Sequence, residues 1–350
     1  MKHHLEAAEF LHASSTRVLL DVRSPGEYAQ GHIPGAHNLA LFTDEERAVI
    51  GTFYKQQGKE AAVLRGLRFV GPKMESFVRD ALALAQERRL AVYCWRGGQR
   101  SQSMTWLFRQ TGFDVVTLHG GYKQYRRHIL EQLGFQAFRL IVIGGQTGSG
   151  KTKVLHALQQ MGEQIIDLEA LAHHKGSSFG SIGESPQPTP EQFENDLYSA
   201  INGLDANRRI WIENESRSIG RVYIPDSFWV QMKNAPLFNI QVPLGQRIQN
   251  LVADYTGYSP AELENAFWRI EKKLGGQHLK AALEALHQGD FAAAAAIALK
   301  YYDKTYRFGL EQNTAPDIRM LVFGHGDPDL IARACLETAG QSAGKNLETV

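Results

Sequence analysis

Residues 139–160 hold the arrangement that most limits what this chain can fold into. Arg139-Leu140-Ile141-Val142-Ile143 is an apolar run of strand character. Gly145-Gln146-Thr147-Gly148-Ser149-Gly150-Lys151-Thr152 follows it, and Lys153 to Gln160 reads as a helix. Glycines let successive backbone N–H groups turn toward one anion, and a helix N-terminus adds its partial positive charge. With a strand before and a helix after, the Gly-x4-Gly-Lys-Thr pattern is a phosphate-binding loop. Its candidate contacts are Gly145, Gly148, Gly150, Lys151, which neutralises phosphate, and Thr152, which can ligate Mg²⁺. Arg209-Ile210-Trp211-Ile212-Glu213 reads as a second apolar strand ending in an acid. Glu213 and Glu215 are candidates for positioning Mg²⁺ or a water, against the plainer reading of solvated loop acids. The guanine-specifying Asn-Lys-x-Asp pattern is absent.

A second anion loop lies upstream, in Tyr93-Cys94-Trp95-Arg96-Gly97-Gly98-Gln99-Arg100-Ser101. The strand Leu90 to Cys94 delivers a thiol to a glycine turn. Arg96 and Arg100 add charge, and a helix starting near Ser101 would point its positive end at the sulfur. These features favour thiolate over thiol, so Cys94, Arg96 and Arg100 are the catalytic candidates here. The alternative is a buried structural cysteine.

The remaining sequence sets limits. With 350 residues, about two domains are expected. Lys+Arg 38 against Asp+Glu 37 excludes a globally basic nucleic-acid surface but leaves local patches open. Two cysteines, Cys94 and Cys335, are no disulfide framework, which points to a reducing cytoplasm. No apolar leader or membrane-length run is seen. Phe291 to Leu299 is alanine-rich and reads as a tightly packed helix. Strand runs at 17–21, 90–94 and 115–118 alternate with helical stretches 74–87 and 102–110, so a parallel sheet covered on both faces is expected. The boundaries are 1–133 and 138–350. The short connection 131–138 is not Gly/Ser-rich, which argues for docked domains without a flexible tether. Thr189-Pro190 and Ser259-Pro260 are helix starts, the second helix stopping near Gly275-Gly276. Gln341 to Val350 is a polar tail. Adjacent His173-His174 lack metal-ligand spacing, so no metal site is expected. Lys175 to Gly180 reads as a lid, a substrate loop or a turn.

Asp21-Val22-Arg23-Ser24-Pro25-Gly26-Glu27-Tyr28 with Gly31-His32-Ile33-Pro34-Gly35-Ala36 resembles the opening signature of the rhodanese family. Cys94 matches its persulfide-carrying cysteine. Asp21 and Arg23 are expected to brace the fold, and His32 is read as a turn residue. Five residues separate Cys94 from Arg100, one more than in typical sulfurtransferase rhodaneses. The longer loop resembles rhodanese-like phosphatases and arsenate reductases and implies a pocket for a phosphate-sized group.

Joined to the phosphate-loop half, the chain resembles the bacterial tRNA 2-selenouridine synthase family over nearly its whole length. Asp44 to Arg47 with Gly51 to Lys55, Tyr93 to Ser101, Gly144 to Thr152, Asp167 to Glu169, His174 to Gly180, Glu213 to Ser216 and Tyr301 to Asp303 carry the match. The resemblance implies an N-terminal rhodanese-like parallel-sheet domain plus a C-terminal P-loop NTPase-like α/β domain with helical additions. It implies geranylation of wobble 2-thiouridine by geranyl diphosphate in tRNAs for Lys, Glu and Gln. Selenophosphate then replaces the geranylthio group. No tightly bound cofactor is expected. RNA contact would be local, with Lys123 to His128 and Tyr301 to Arg307 as candidate patches, each otherwise a solvated helix face. Two other readings compete. One is a rhodanese-type sulfurtransferase or phosphatase fused to an ATP-dependent small-molecule kinase. The other is a nucleotide-gated binding module, against which Cys94 argues.

Overall fold

The computed structural model of the protein describes residues 4–345. It forms two compact units, 1–134 with 194–199 and 135–193 with 200–350. Both are built on parallel sheets with helices on the faces, so the α/β class read from the sequence is the one observed. Residues 194–199 pack with the first unit, although in sequence they lie well inside the second.

The first unit has five parallel strands: β1 (His4–Leu5), β2 (Val18–Asp21), β3 (His37–Asn38), β4 (Arg89–Tyr93) and β5 (Asp114–Leu118). They are ordered β1-β5-β4-β2-β3, with Leu20 beside Val92 and Ala91 beside Val116. Leu90, Ala91, Val92 and Tyr93 are all fully buried, as expected of a central parallel strand covered on both faces. Asp21 and Arg23 are buried too. The Arg23 guanidinium donates to Asp21 and to the Gly31 carbonyl and lies 3.8 Å from the Tyr122 ring centroid. These residues brace the sheet's end, as their place in the signature suggests. His32 stacks on Tyr28 at 3.8 Å, a turn contact.

Asp44–Val70 is helical, started by a Thr43–Glu46 capping box. Gly58, at φ 87° and ψ −179°, breaks it into two limbs. Ile50 and Gly66 would stand about 24 Å apart on a straight helix. Instead Ile50 Cδ1 lies 3.8 Å from where a Gly66 Cβ would be, and Arg65 sits over Phe53. The limbs therefore fold back on each other as a helical hairpin.

The second unit has β6 (Arg139–Gly145), β7 (Gln164–Ile166), β8 (Arg209–Glu213), a small antiparallel pair β9 (Ser218–Ile219) and β10 (Val222–Tyr223), then β11 (Leu237–Gln241) and β12 (Ile318–Val322). The main sheet is parallel, ordered β12-β11-β6-β8-β7, so the phosphate-loop strand is central and Ile143 pairs with Glu213. Thr189 and Ser259 cap their helices as expected. The Ser259 helix, however, is interrupted at Ile270; a short turn Glu271–Leu274 follows and ends at Gly275, φ 86°. The alanine run opens a longer helix, Phe291–Glu311. The last helix, Pro328–Lys345, takes in half of the expected polar tail; the rest lies outside the described residues. It buries Cys335 completely, and burial pushes that thiol up to about 12.

Candidate functional site

Cys94 follows β4 directly and is buried. Its Sγ lies 3.2 Å from Ser101 Oγ, which donates to the Gly98 carbonyl. The loop is held from beneath by the turn after β5. Tyr122 N donates to the Cys94 carbonyl and Lys123 N to that of Trp95. A Cβ on Gly121 would stand 2.3 Å from the Cys94 oxygen and 2.4 Å from Gly97 N. Only glycine at φ 62° allows that approach. The helix begins at Gln99, two residues earlier than expected, so its N-terminus abuts the loop.

The two arginines part company. Arg100 is committed to Glu27, with contacts of 2.5 and 3.2 Å, and Arg47 reaches the same carboxylate at 2.9 Å. Burial works against ionising Glu27, but the Arg100 hydrogen bonds and charge, a Ser24 backbone bond and Arg47 outweigh it and hold the carboxyl at about 2. Arg100 therefore positions the loop's helix, while Arg96 stays exposed. Arg96 lines a cavity of about 800 Å³ with Gln99, Arg100, Ser103 and the helical hairpin.

In the second unit the phosphate loop is drawn tight. Gly148 and Gly150 both take φ 80°, and a Cβ on Gly145 would strike Ser149 Oγ at 2.5 Å. Lys151 Nζ donates to the Gly145 carbonyl at 3.2 Å, folded across the cradle. Ser149 Oγ is buried without a hydrogen-bond partner among the described residues. From the helix Leu244–Tyr255, Arg247 donates to the Thr147 carbonyl at 2.9 Å and pairs with Asp303, while Asn250 donates to the Gly148 carbonyl at 2.9 Å. These two residues hold the loop and were not singled out from the sequence. Their signal is the helical spacing Arg247, Asn250, Leu251, Asp254 on one face.

The separate family stretches converge here. Thr152 Oγ1 donates to Glu169 at 3.0 Å, and Glu169 N donates to Glu213 Oε2 at 3.4 Å. Glu213 is wholly buried, and its other oxygen has no hydrogen-bond partner among the described residues. Burial first, then the charges of Glu169, Asp167 and Glu215, push its carboxyl well up, favouring the neutral acid. Burial and Glu169 likewise raise Glu215 to about 7, opposed by Lys151. Glu213 and Glu215 are thus interior groups, not solvated loop acids. Lys175 N donates to the Gly180 carbonyl at 2.9 Å, closing residues 175–180 into a turn. A Cβ on Gly176 would meet Glu215 at 2.2 Å, so the turn packs against that carboxyl.

Two spaces meet at this point. One, of about 500 Å³, runs along Lys151, Thr152, Asp167, Glu169, Lys175 and Glu215. The other is a narrow apolar slot of about 70 Å³ between Phe267, Leu286, Phe291, Ala294, Ala295 and Ala298. Thr147, Ser177, Leu251, Tyr255 and Tyr302 line both. The alanine run makes room for the slot, which explains its composition.

The candidate RNA patches are less open than expected. Tyr125 is buried and stacks on Tyr122 at 5.8 Å. Arg126 is tied to Glu194 and donates to Asn195 at 2.7 Å, all within the first unit. Arg127 keeps an exposed side chain beside Glu131. In the second patch Tyr302 OH accepts from Ser178 N, Tyr306 donates to Asn239 and Asp303 holds Arg247; Lys304 and Arg307 remain exposed. His173 ends a short helix at φ 50° and contacts the Pro186 carbonyl. Among the described residues no cluster of three or more His, Cys, Asp or Glu is set to hold a metal, and no helix is long and apolar enough to cross a membrane.

A cysteine loop on one parallel sheet and a phosphate loop on another define a rhodanese-like and P-loop two-domain protein. Residues 4–128 match the rhodanese-like domain family, and residues 138–327 match the family described as tRNA 2-selenouridine synthase AAA domain. Similar proteins named tRNA 2-selenouridine synthase occur in Nitrosomonas europaea, 41% identical over 69% of this chain and 64% of that one. Others occur in Sulfurovum sp., 36% identical over 85% and 90%, and in Bdellovibrio bacteriovorus, 39% identical over 80% and 72%. The chain belongs to the tRNA 2-selenouridine synthase family.

Proposed function

We propose that this chain is a tRNA-modifying transferase that makes 2-selenouridine in two steps. In the first, the sulfur of wobble 2-thiouridine attacks C1 of geranyl diphosphate. The S–C bond forms as the C–O bond breaks, diphosphate leaves with the electron pair, and the N3 proton is lost to solvent. In the second, selenophosphate attacks C2 through selenium. The C2–S bond breaks, geranylthiolate leaves and is protonated, and water cleaves the Se–P bond to release phosphate. Alkylation is what makes sulfur able to leave. The substrates would be tRNAs for Lys, Glu and Gln, as the family resemblance implies.

One observation carries the first step: the apolar slot opens on the phosphate cradle through Thr147, Ser177, Tyr255 and Tyr302. A phosphate cradle beside a wall of hydrocarbon suits a ligand with a diphosphate head and an apolar tail. It offers little to the polar edges of a purine. Lys151, the loop N–H groups and Thr152 would hold the leaving diphosphate. A Mg²⁺ arriving with it would be held by Thr152 and Glu169 and would neutralise charge on the leaving group. Cys94 and Arg96 would serve the selenium step in the first unit.

The test uses the full chain and an anticodon stem-loop RNA carrying 2-thiouridine. Geranyl diphosphate is added, then selenophosphate, and nucleosides are followed by mass spectrometry. Geranyl-2-thiouridine followed by 2-selenouridine, without ATP, is the expected course. A requirement for ATP hydrolysis, or selenation with no alkylated intermediate, would replace this reading with the kinase-fused sulfurtransferase.

A further inference from the structure

The helical hairpin of the first unit is odd as a purely structural element. Among its 27 residues only Ala62 and Gly66 are buried, while Tyr54, Val63, Leu64 and Leu67 are 59%, 37%, 58% and 60% exposed. Each such side chain left in water forgoes the stabilisation that burial would give it. Tyr54, Val63 and Leu67 line the cavity of about 800 Å³ that Arg96 and Gln99 border from the cysteine loop. Lys55 and Arg96 also line it and make no ion pair among the described residues, whereas Arg47 and Arg100 are spent on Glu27. The cavity therefore offers an unfilled apolar wall and two uncommitted cations beside the loop that bears the thiol.

We propose that this cavity binds the alkylated nucleotide for the selenium step, its prenyl chain lying on Val63, Leu67 and Tyr54 and its flanking phosphates on Lys55 and Arg96. The inference rests on the two-step reading, because only there does a nucleotide reach Cys94 carrying a hydrocarbon. The charges fit a polyanion, and the apolar wall fits the one part of that polyanion that is not polar. A plain 2-thiouridine would leave the wall wet. The cavity would thus favour the intermediate over the starting RNA.

The experiment uses the full chain and synthetic anticodon stem-loops bearing 2-thiouridine, S-methyl-2-thiouridine or S-geranyl-2-thiouridine. Geranyl S-thiolodiphosphate is present to fill the slot at the phosphate loop. Anisotropy gives each affinity. The wild type should bind geranyl RNA at least tenfold tighter than methyl RNA. Val63→Asn with Leu67→Asn, both at exposed positions, should erase that preference. The same variant should form geranyl-2-thiouridine at the normal rate, which certifies its fold. Lys55→Gln should weaken all three RNAs alike and lower the salt dependence. Equal wild-type affinity for methyl and geranyl RNA would overturn the proposal, as would a preference that survives in the double variant. So would loss of the preference on dilution in step with a dimer-to-monomer transition, since the wall would then belong to a second copy. Because the RNAs are synthetic, failure of the chain to geranylate anything would count against the two-step reading alone.

Discussion

The cysteine loop and the phosphate loop both leave a parallel strand at its carboxyl end and both turn glycine N–H groups inward, yet their nearby carboxylates are treated in opposite ways. Beside the cysteine loop, Glu27 is bracketed by Arg100 and Arg47 and held at about 2. Beside the phosphate loop, Glu169, Glu213 and Glu215 lie close together with Lys151 as the nearest offset, and burial pushes all three up. The first site keeps its acid charged and spends its cations doing so. The second buries its acids together, which disfavours their charge and so lessens repulsion of an incoming diphosphate. Position in a fold does not fix the electrostatics of an anion site; the choice of counter-ion does.

The comparison breaks most sharply on function. Cys94→Ser should abolish 2-selenouridine while geranyl-2-thiouridine accumulates; Lys151→Ala should slow geranylation, weakening the prenyl donor roughly ten- to a hundredfold, while RNA supplied already geranylated is still selenated. Mass spectrometry of both nucleosides in both variants decides it; a variant that stops both steps would mean the two loops are not separable. Next in size is the apolar slot. Ala295→Leu places extra carbons where the tail would lie, and about two displaced CH₂ groups cost more than tenfold in geranyl diphosphate affinity at about 0.8 kcal/mol each. Inorganic diphosphate should bind as before by calorimetry, and an equal loss for both ligands would put the tail elsewhere.

The two units should also answer pH with opposite signs. Glu215, raised from 4.5 to about 7, contributes stability that is whole below pH 4.5 and is lost as pH rises through about 7. Glu27, lowered to about 2, contributes stability that is whole above pH 4.5 and is lost as pH falls toward 2. One linked proton changes an opening constant by at most tenfold per pH unit. The protection factor of β8, that is, exchange corrected for the intrinsic base-catalysed rate, should therefore fall between pH 5 and 7, and Glu215→Gln should flatten that fall, whereas the protection of β4 should not follow it. A parallel response of the two strands would erase the contrast. The smallest effect is expected from Arg127→Glu, which removes one exposed cation beside Glu131. It should lower the salt slope of tRNA binding by about one phosphate contact if RNA crosses this helix. An unchanged slope moves the path to Lys304 and Arg307.

Both loops could be read from the sequence because their strands are apolar throughout, as central parallel strands must be, and each ends in glycines that have no other use. The edge strands His4–Leu5 and His37–Asn38 were invisible, since two residues carry no periodicity. The helical hairpin was hidden because Gly58 reads as an ordinary tolerated glycine; the approach of Ile50 to Gly66 and of Arg65 to Phe53 reveals the fold-back. Arg126 and Tyr125 looked like an RNA patch because residue type says nothing about partners. Glu194 and Asn195, which hold Arg126, are about 70 positions away along the chain. The partner of Arg100 was hidden in the same way, since Glu27 belongs to the opening signature and not to the loop.

The close approach of Gly121 to the cysteine loop has a further consequence. The Cys94 carbonyl and Gly97 N occupy the volume a side chain at residue 121 would need. The loop is therefore cast against a bare patch of backbone from another turn, as metal is cast against a mould. Gly121→Ala would leave the thiol, Ser101 and both arginines chemically intact and still shift the strand end that aims them. Lengthening or recolouring the cysteine loop, whether by drift or by design, is free only on its outer side; its inner side is written by the turn after β5.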